Sequence, residues 1–333
     1  MKFKICYVLT SCESDNYLEE AYVSMYSARH HNPDAHIVLV IDDKTNETLK
    51  GVRKEEVKYA DEIKVVSFDP KYNAKKRSRL LKTMSRELIK GDMLYIDTDT
   101  IVVKPLDELD DIVTGDLAGV YDLHSCYYHD CFTYEFGLVR CRKMGWEIPA
   151  DAHYFNGGMT FSRDTDTAHK FYKLWNENLL ACFDKDITTD QQALFRTDYL
   201  MGNIIQPLEG VWNCQLPHGM QYFWGARVIH YFGSRVANNK PLFMLRDRGV
   251  TDKIKQTGEI SAEVKEVVRE PMRGLAPCVF TIAGDDIDFM RSKVYLFLRH
   301  RFRTPFFNVV TKIVMMLSAI KRTSKMLTRR GDE

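Results

Sequence analysis

The chain has 333 residues, of which 45% are hydrophobic and 28% are charged, and its formal net charge is +1. This is the composition of an ordinary globular protein with enough apolar material for one large α/β domain or two modest ones. No stretch of the sequence offers the roughly eighteen uninterrupted apolar residues that a membrane span requires, so we predict no membrane-spanning segment.

The charge is distributed unevenly along the chain. Between Arg291 and Arg330 there are eleven Lys and Arg residues and no Asp or Glu, whereas residues 1–290 carry 36 basic and 44 acidic side chains. The body therefore has a net charge of about −8, and the tail is strongly basic. A basic tail on an acidic body is typical of a protein that binds an acidic surface.

The cysteines and the N-terminal sequence bear on the compartment. The eight cysteines include no C-x-x-C pair and no zinc-ligand spacing, so we expect free thiols in a reducing cytoplasm. The chain enters an apolar strand at Phe3 without a signal peptide, which also favours the cytoplasm.

The first hundred residues alternate between short apolar runs and amphipathic segments. Apolar runs of this kind between helices indicate a parallel sheet that is covered on both faces and binds ligands beyond the carboxyl ends of its strands. No glycine-rich dinucleotide motif or P-loop occurs, which argues against those two folds. The pattern predicts strands at 4–10, 36–41, 63–67 and 93–96, and helices at 18–31 and 75–89. Beyond residue 116 it predicts strands near 117–121, 159–162, 204–206 and 227–232, and helices near 166–181 and 189–197.

Two aspartates follow the strand predicted at 93–96. In an extended backbone Asp97 and Asp99 project to the same face, because side chains alternate along a strand. Like charges held close in a water-poor position are costly unless a cation lies between them, and a divalent metal with oxygen ligands fits this pair. The alternative is two solvated aspartates at the end of a strand.

Three later motifs carry polar groups suited to the same kind of site. Asn156-Gly157-Gly158 permits close backbone approach, Asp190-Gln191 precedes a predicted helix, and His230 ends an apolar strand. Each motif also has a structural alternative: a turn, a helix N-cap and a core histidine, respectively.

Taken in order, these segments resemble nucleotide-sugar-dependent glycosyltransferases with a GT-A fold, most closely family 8. The family motifs correspond here to Asn16-Tyr17, Arg79, Asp97-Thr98-Asp99, Asn156-Gly157-Gly158, Asp190-Gln191 and His230…Gly233. The resemblance covers roughly residues 4–242. It implies an α/β fold with a GT-A type, Rossmann-like mixed sheet flanked by helices.

The resemblance also implies roles for individual residues. The metal ligands for Mn²⁺ (or Mg²⁺) would be Asp97, Asp99 and His230. The residues that bind the UDP-sugar would be Thr10, Ser11, Asn16, Arg79, Asp97, Thr98, Gly157, Gly233 and Lys240. The catalytic residues beside the anomeric carbon would be Asn156, Asp190 and Gln191.

Two departures from the family pattern concern the sugar donor. Lys240 lies ten residues after His230, further than is usual, and Arg235 intervenes as an alternative contact to the diphosphate. The first strand is followed by Thr10-Ser11-Cys12-Glu13 in place of an acidic residue, which affects the contact to the base.

The resemblance predicts a metal-dependent retaining glycosyltransferase. It would move galactose or glucose from a UDP-sugar to a saccharide or lipid-linked acceptor in lipopolysaccharide or cell-surface polysaccharide synthesis. Two alternatives stay open: a nucleotidyltransferase, and a membrane-bound scaffold that binds a nucleotide-sugar without turnover. No nucleic-acid partner is expected, because the basic residues lie in an apolar-rich tail without a reading motif.

We expect a catalytic domain at 1–250, a connecting segment at 251–290 and a basic tail at 291–333. Apolar residues in the tail recur at helical spacing over about 15 residues, which is too short to cross a bilayer. We therefore predict a basic amphipathic helix that lies on an anionic membrane surface through 291–330 and holds the protein at its inner face. The alternative is a terminal helix packed on the body or on a second subunit.

Overall fold

The computed structural model describes residues 1–124, 139–147, 153–233, 241–276, 284–301 and 304–329. The chain divides into two compact units, Met1–Ala276 and Pro277–Glu333.

The first part of unit 1 alternates strand and helix as the sequence predicts. Strand β1 shows why the chain folds this way. Its residues Ile5, Tyr7 and Leu9 pack into one apolar core and Cys6 and Val8 into another, because side chains alternate between the two faces of the sheet. The elements are β1 (Lys4–Leu9), α1 (Tyr17–His31), β2 (His36–Asp42), α2 (Asp43–Thr48), α3 (Val52–Glu55), β3 (Glu62–Val66), α4 (Ala74–Leu88) and β4 (Met93–Ile96).

The second part of unit 1 is less regular. Its elements are β5 (Thr100–Val102), α5 (Leu109–Ile112), β6 (Leu117–Tyr121), β7 (Phe155–Ser162), α6 (Asp166–Phe183), α7 (Gln191–Leu200), β8 (Ile205–Leu208), β9 (Cys214–Gln215), β10 (Val228–His230), α8 (Arg248–Thr257) and α9 (Ala262–Arg269).

These strands form two sheets. The larger has seven strands in the order β3-β2-β1-β4-β7-β6-β8, and the smaller has the order β5-β10-β9. Strands β1 to β4 run parallel, whereas β7 is antiparallel to both β4 and β6. The predicted mixed α/β sheet flanked by helices is confirmed, and β7 is the strand of the larger sheet that runs against its neighbours.

The second unit contains α10 (Gly284–Arg291), α11 (Lys293–His300) and α12 (Pro305–Arg329). Among the described residues, no helix combines the length and the apolar character that a membrane crossing needs. Five cysteines lie in the described part of the chain as free thiols, as expected: Cys6, Cys12, Cys141, Cys182 and Cys214.

Candidate active site

The backbone holds the two aspartates that follow β4. The Asp97 N–H donates to the Gly158 carbonyl (2.8 Å), and the Asp99 carbonyl accepts from the Tyr231 N–H (3.1 Å). The Thr100 hydroxyl donates to the Asp97 carbonyl (2.8 Å) and closes the turn between β4 and β5. Strand β7 and the residue after β10 thus fix both aspartates at the carboxyl end of β4.

Three side chains converge at this point. One ligand atom each from Asp97, Asp99 and His230 lies within 4.8 Å of the others. The His230 Nε2 is 3.1 Å from Asp99 Oδ1 and 4.0 Å from Asp97 Oδ2. His230 is buried, and β10 brings it here by pairing antiparallel with β5, which sets His230 opposite Thr100. The buried histidine therefore faces the two carboxylates.

This cluster fits a divalent cation. Two carboxylates and one imidazole suit Mn²⁺, and the carboxylates alone suit Mg²⁺. Burial opposes the ionisation of Asp99, but the facing His230, a backbone hydrogen bond and Arg79 together outweigh burial and hold the pKa of Asp99 below its ordinary value. The His230 Nε2 lies nearest to both carboxylates, so it is the nitrogen presented to a metal between them.

The Asn156 motif borders the cluster directly. A Cβ on Gly158 would lie 2.8 Å from Asp97 Oδ2 and 2.5 Å from the His230 ring, closer than real Cβ atoms approach. The Gly158 N–H donates to Asn156 Oδ1 (2.9 Å), and the Asn156 amide donates to Asp122 Oδ1 (2.8 Å). Gly158 therefore leaves the space in which the cluster lies, and Asn156 fixes the backbone of strand β7 beside it.

Gly233 lies on the opposite side of Asp99. Its N–H donates to Asp99 Oδ2 (3.1 Å), and a Cβ there would collide with the carboxylate of Glu20. Burial and then the charge of Asp99 raise the pKa of Glu20 well above its ordinary value. Sequence reasoning missed Glu20. The glycine at 233 is required in this structure by the packing of that side chain.

Asp190 does not act as a helix cap. It lies at the N-cap position of α7 but makes no side-chain cap bond. Its Oδ2 accepts from Lys82 Nζ (3.0 Å), its Oδ1 is 3.3 Å from Arg79 Nε, and Gly157 packs against it. Burial alone would raise the pKa of Asp190, but Lys82 and Arg79 outweigh burial and lower the pKa to about 2. Asp190 is thus a permanently charged member of an ion-pair network, with Gln191 next to it as the first residue of α7.

Thr10 and Ser11 follow β1 in the neighbouring loop. The Thr10 hydroxyl donates to the Ala74 carbonyl at the start of α4 (3.2 Å), and the Ser11 hydroxyl donates to Asp15 Oδ1 (2.7 Å). Ser11 also accepts from the Arg53 guanidinium (3.0 Å). These bonds fix the shape of the loop beside the cleft.

Asn16 is bonded to another part of the chain. Its amide donates to Thr251 Oγ1 (2.6 Å) and Asp252 Oδ1 (2.8 Å), and its Oδ1 accepts from Lys255 Nζ (3.1 Å). The side chain therefore anchors α8 to the loop after β1. Its role in binding the sugar donor stays a prediction.

A cleft of about 590 Å³ lies between the loop after β1, the start of α4 and the end of β4. This volume is within the range of small-molecule sites, about 300–1,000 Å³. Its walls include Thr10, Arg79, Asp97, Thr98 and Asp99. The structure therefore brings five of the sequence-predicted site residues together around one space.

Two residues that the sequence analysis did not select complete the surroundings of Asp97. The Tyr95 hydroxyl donates to Asp97 Oδ1, and Lys82 Nζ is 3.2 Å from the same oxygen. Lys82 could have been identified from its spacing, because it lies three residues after Arg79 on α4 and both side chains are therefore on one face of the helix. Lys240 and Arg235 lie outside the described residues.

Comparison with known proteins bears on the fold. No protein-family model matches the chain, and no curated protein matches it. Among solved structures, the bifunctional glycosyltransferase WbbM superimposes with a TM-score of 0.50 and 15% identity, covering 81% of this chain and 52% of WbbM. The chain thus spans about half of that protein.

Two further solved structures are similar over most of their own length. The galactosyltransferase LgtC, in complex with sugar donor and acceptor analogs, has a TM-score of 0.48 and 16% identity, covering 79% of this chain and 99% of LgtC. Mouse xyloside xylosyltransferase 1 has a TM-score of 0.45 and 13% identity, covering 71% of this chain and 99% of that one. These three structural neighbours are glycosyltransferases, and the superposition on WbbM agrees with the GT-A fold that the family resemblance implies for this chain.

Proposed function

We propose that this protein is a metal-dependent retaining glycosyltransferase that transfers a hexose, galactose or glucose, from a UDP-sugar to a saccharide acceptor. The observation that carries the proposal is the convergence of Asp97, Asp99 and His230, of which the two aspartates line the cleft, in a GT-A fold. Asp99 and Asp97 reach it from the central strand, and His230 from the small sheet.

The chemistry requires that a diphosphate leave the sugar with its negative charge stabilised. A divalent ion held by Asp97, Asp99 and His230 would supply that stabilisation when bound. Arg79 lines the same cleft and adds a positive charge of the protein itself. Lys240 or Arg235 is proposed to add another.

Asp190 is proposed to act beside the anomeric carbon. Its two oxygens face Lys82 and Arg79, and its pKa of about 2 means that it is charged at every working pH. A carboxylate so well stabilised is a weak nucleophile. It is better suited to stabilise positive charge that develops on the sugar ring, and this favours front-face departure of the diphosphate over double displacement through Asp190.

The test is release of nucleotide from a panel of nucleotide-sugars in the presence of Mn²⁺. We expect slow, metal-dependent release from one UDP-hexose, and Asp99→Asn should lower it by about 100-fold or more because a ligand that neutralises the leaving group is lost. Asp34→Asn, at an exposed turn, is the control. Full activity of Asp99→Asn would contradict the proposal, and binding without release would point to a required acceptor.

We also propose that the second unit binds the anionic inner face of a membrane, which places the acceptor among lipid-linked saccharides or lipopolysaccharide. The helices α10 and α11 have no buried residues, and large apolar side chains are exposed along them and along α12. Examples are Phe289, Val294, Phe297, Ile313 and Met316. Apolar exposure combined with eleven basic residues and no acidic ones between Arg291 and Arg330 fits an anionic lipid surface.

A further inference from the structure

Lys82 is a buried charge on the inner side of α4. Its side chain is only 3% exposed, and its ammonium contacts three oxygens: the Gly157 carbonyl (2.8 Å), Asp190 Oδ2 (3.0 Å) and Asp97 Oδ1 (3.2 Å). It also lies 4.8 Å from the centre of the Tyr95 ring. The contacts to Gly157 and Asp190 are hydrogen bonds, and the contact to Asp97 is an ion pair.

The ammonium occupies a cage made of oxygens from three elements. Asp97 follows β4, Gly157 lies on β7 and Asp190 precedes α7. A buried ammonium is costly unless paired, and here two carboxylates pair with it. Without Lys82, Asp97 and Asp190 would lose the ammonium group that contacts both of them.

The cage determines which oxygen of Asp97 is presented to a metal. Lys82 and Tyr95 both bind Oδ1. The other oxygen, Oδ2, is the one directed at His230 and at the space that Gly158 leaves open. The lysine therefore holds Asp97 in an orientation with a single oxygen available to the metal.

We propose that Lys82 is a positioning residue for the metal and the sugar donor. As a fixed cation it orients Asp97 toward the metal, and it holds Asp190 in place. One ammonium group therefore connects the proposed metal ligand Asp97 to the proposed catalytic residue Asp190. This inference rests on the proposed function, and it assigns no bond-making step to Lys82.

The test uses the full chain with Lys82→Ala, and measures the Mn²⁺ dissociation constant in the presence of UDP by electron paramagnetic resonance. Groups that hold metal ligands in place typically contribute 10- to 100-fold in metal affinity, so we expect binding to weaken by about tenfold or more. Removal of a positive charge near a metal would by itself tighten binding. Weaker binding therefore identifies loss of orientation.

Rescue of the variant by an added amine separates positioning from general damage. Propylammonium can refill the space that Lys82→Ala leaves, so it should restore Mn²⁺ affinity in a saturable manner, whereas sodium chloride at equal ionic strength should not. The matched control is Lys90→Ala at an exposed lysine after α4, which should bind Mn²⁺ like the wild type with or without the amine. Circular dichroism and Tm confirm that each variant is folded.

Mn²⁺ affinity tests the role of Lys82, and turnover of a nucleotide-sugar tests the proposed function. Unchanged or tighter Mn²⁺ binding by Lys82→Ala, or a loss in the folded variant that no amine restores, would overturn the positioning role. If Lys82→Ala does not fold, Lys82→Met, which keeps the apolar stem, is measured instead and judged by its Mn²⁺ affinity in the same way. A wild-type protein that binds Mn²⁺ but turns over no nucleotide-sugar would refute the proposed function and leave the Lys82 result standing. A wild-type protein that binds no divalent ion would refute both.

Discussion

At the scale of single residues, the site depends on space as much as on charge. The cluster of Asp97, Asp99 and His230 lies against the backbone of Gly158, with no room for even one more carbon atom. In the motif around Asn156, Gly158 leaves room for the cluster because it has no side chain, and the Asn156 amide group accepts a hydrogen bond from the Gly158 N–H.

We expect Gly158→Ala to damage the metal site. Its methyl group would lie 2.8 Å from Asp97 Oδ2, and displacing that carboxylate should weaken Mn²⁺ binding by about tenfold or more. Gly119→Ala on β6 is the control, because its Cβ would make ordinary contacts at 3.5 Å. Calorimetric titration of both variants with Mn²⁺ and UDP measures the effect. Equal affinities would show that the cluster can shift without loss.

Some residues of the site could be predicted from sequence and others could not. Asp97 and Asp99 were predicted as a pair because side chains two residues apart in an extended backbone point to the same face, and His230 was added as a metal ligand on the strength of the family resemblance. Lys82 was not, because a lysine is normally exposed and its burial depends on Asp190, more than 100 residues away. The anchoring role of Asn16 was missed for the same reason, since its partners lie on α8.

At the scale of elements, long periodic segments were predicted well. Strand β4 was predicted with its observed bounds, and α1 and α4 to within one residue. The small sheet was missed as a unit because its strands have only two or three residues, too few to show a period. Residues Thr100–Val102 continue the apolar run of β4 in sequence, yet they turn away from it to pair with β10.

The junction of α7 and β8 contains a buried carboxyl that affects stability. Asp198 is 1% exposed and accepts from the Ile205 N–H (3.0 Å), and burial raises its pKa from 3.8 to about 6. The native state therefore holds a proton that the unfolded chain releases between pH 4 and 6. Stability from this group is complete below about pH 4 and falls by about 3 kcal/mol as the pH rises to 6.

We predict that Asp198→Asn removes this loss. Asparagine keeps an acceptor for the Ile205 N–H without a titratable charge, so the variant should be more stable than the wild type at pH 7 and similar to it near pH 4. Urea unfolding at pH 4, 5, 6 and 7 measures the difference, with exposed Asp34→Asn as the control. A constant difference across this range would mean that Asp198 does not titrate there.

At the scale of the whole molecule, the division into two units separates the proposed active site from the proposed membrane-binding helices. The proposed catalytic residues lie in Met1–Ala276, and the basic and apolar helices lie in Pro277–Glu333. Substitutions in the second unit can therefore test membrane binding without changing any of the proposed catalytic residues.

We predict that the second unit binds anionic vesicles through its charge. Replacement of Lys293, Arg299 and Lys312 by Gln should weaken partitioning by about 100-fold, since each basic residue contributes about 1 kcal/mol. Vesicle sedimentation with phosphatidylcholine, alone or mixed with phosphatidylglycerol, measures it. The control replaces exposed lysines of the first unit, namely Lys44, Lys54 and Lys90. Equal binding to neutral vesicles would contradict an electrostatic contribution.

The position of β4 has a further consequence for the lifetime of the site. It is the fourth of seven strands, bonded to β1 on one side and β7 on the other, and the Asp97 amide is bonded to Gly158 directly beyond it. Amides in such central strands exchange with solvent hydrogen only when the cooperative unit opens as a whole. We therefore expect the two aspartates, attached to a central strand, to stay in place during local fluctuations at the sheet edges.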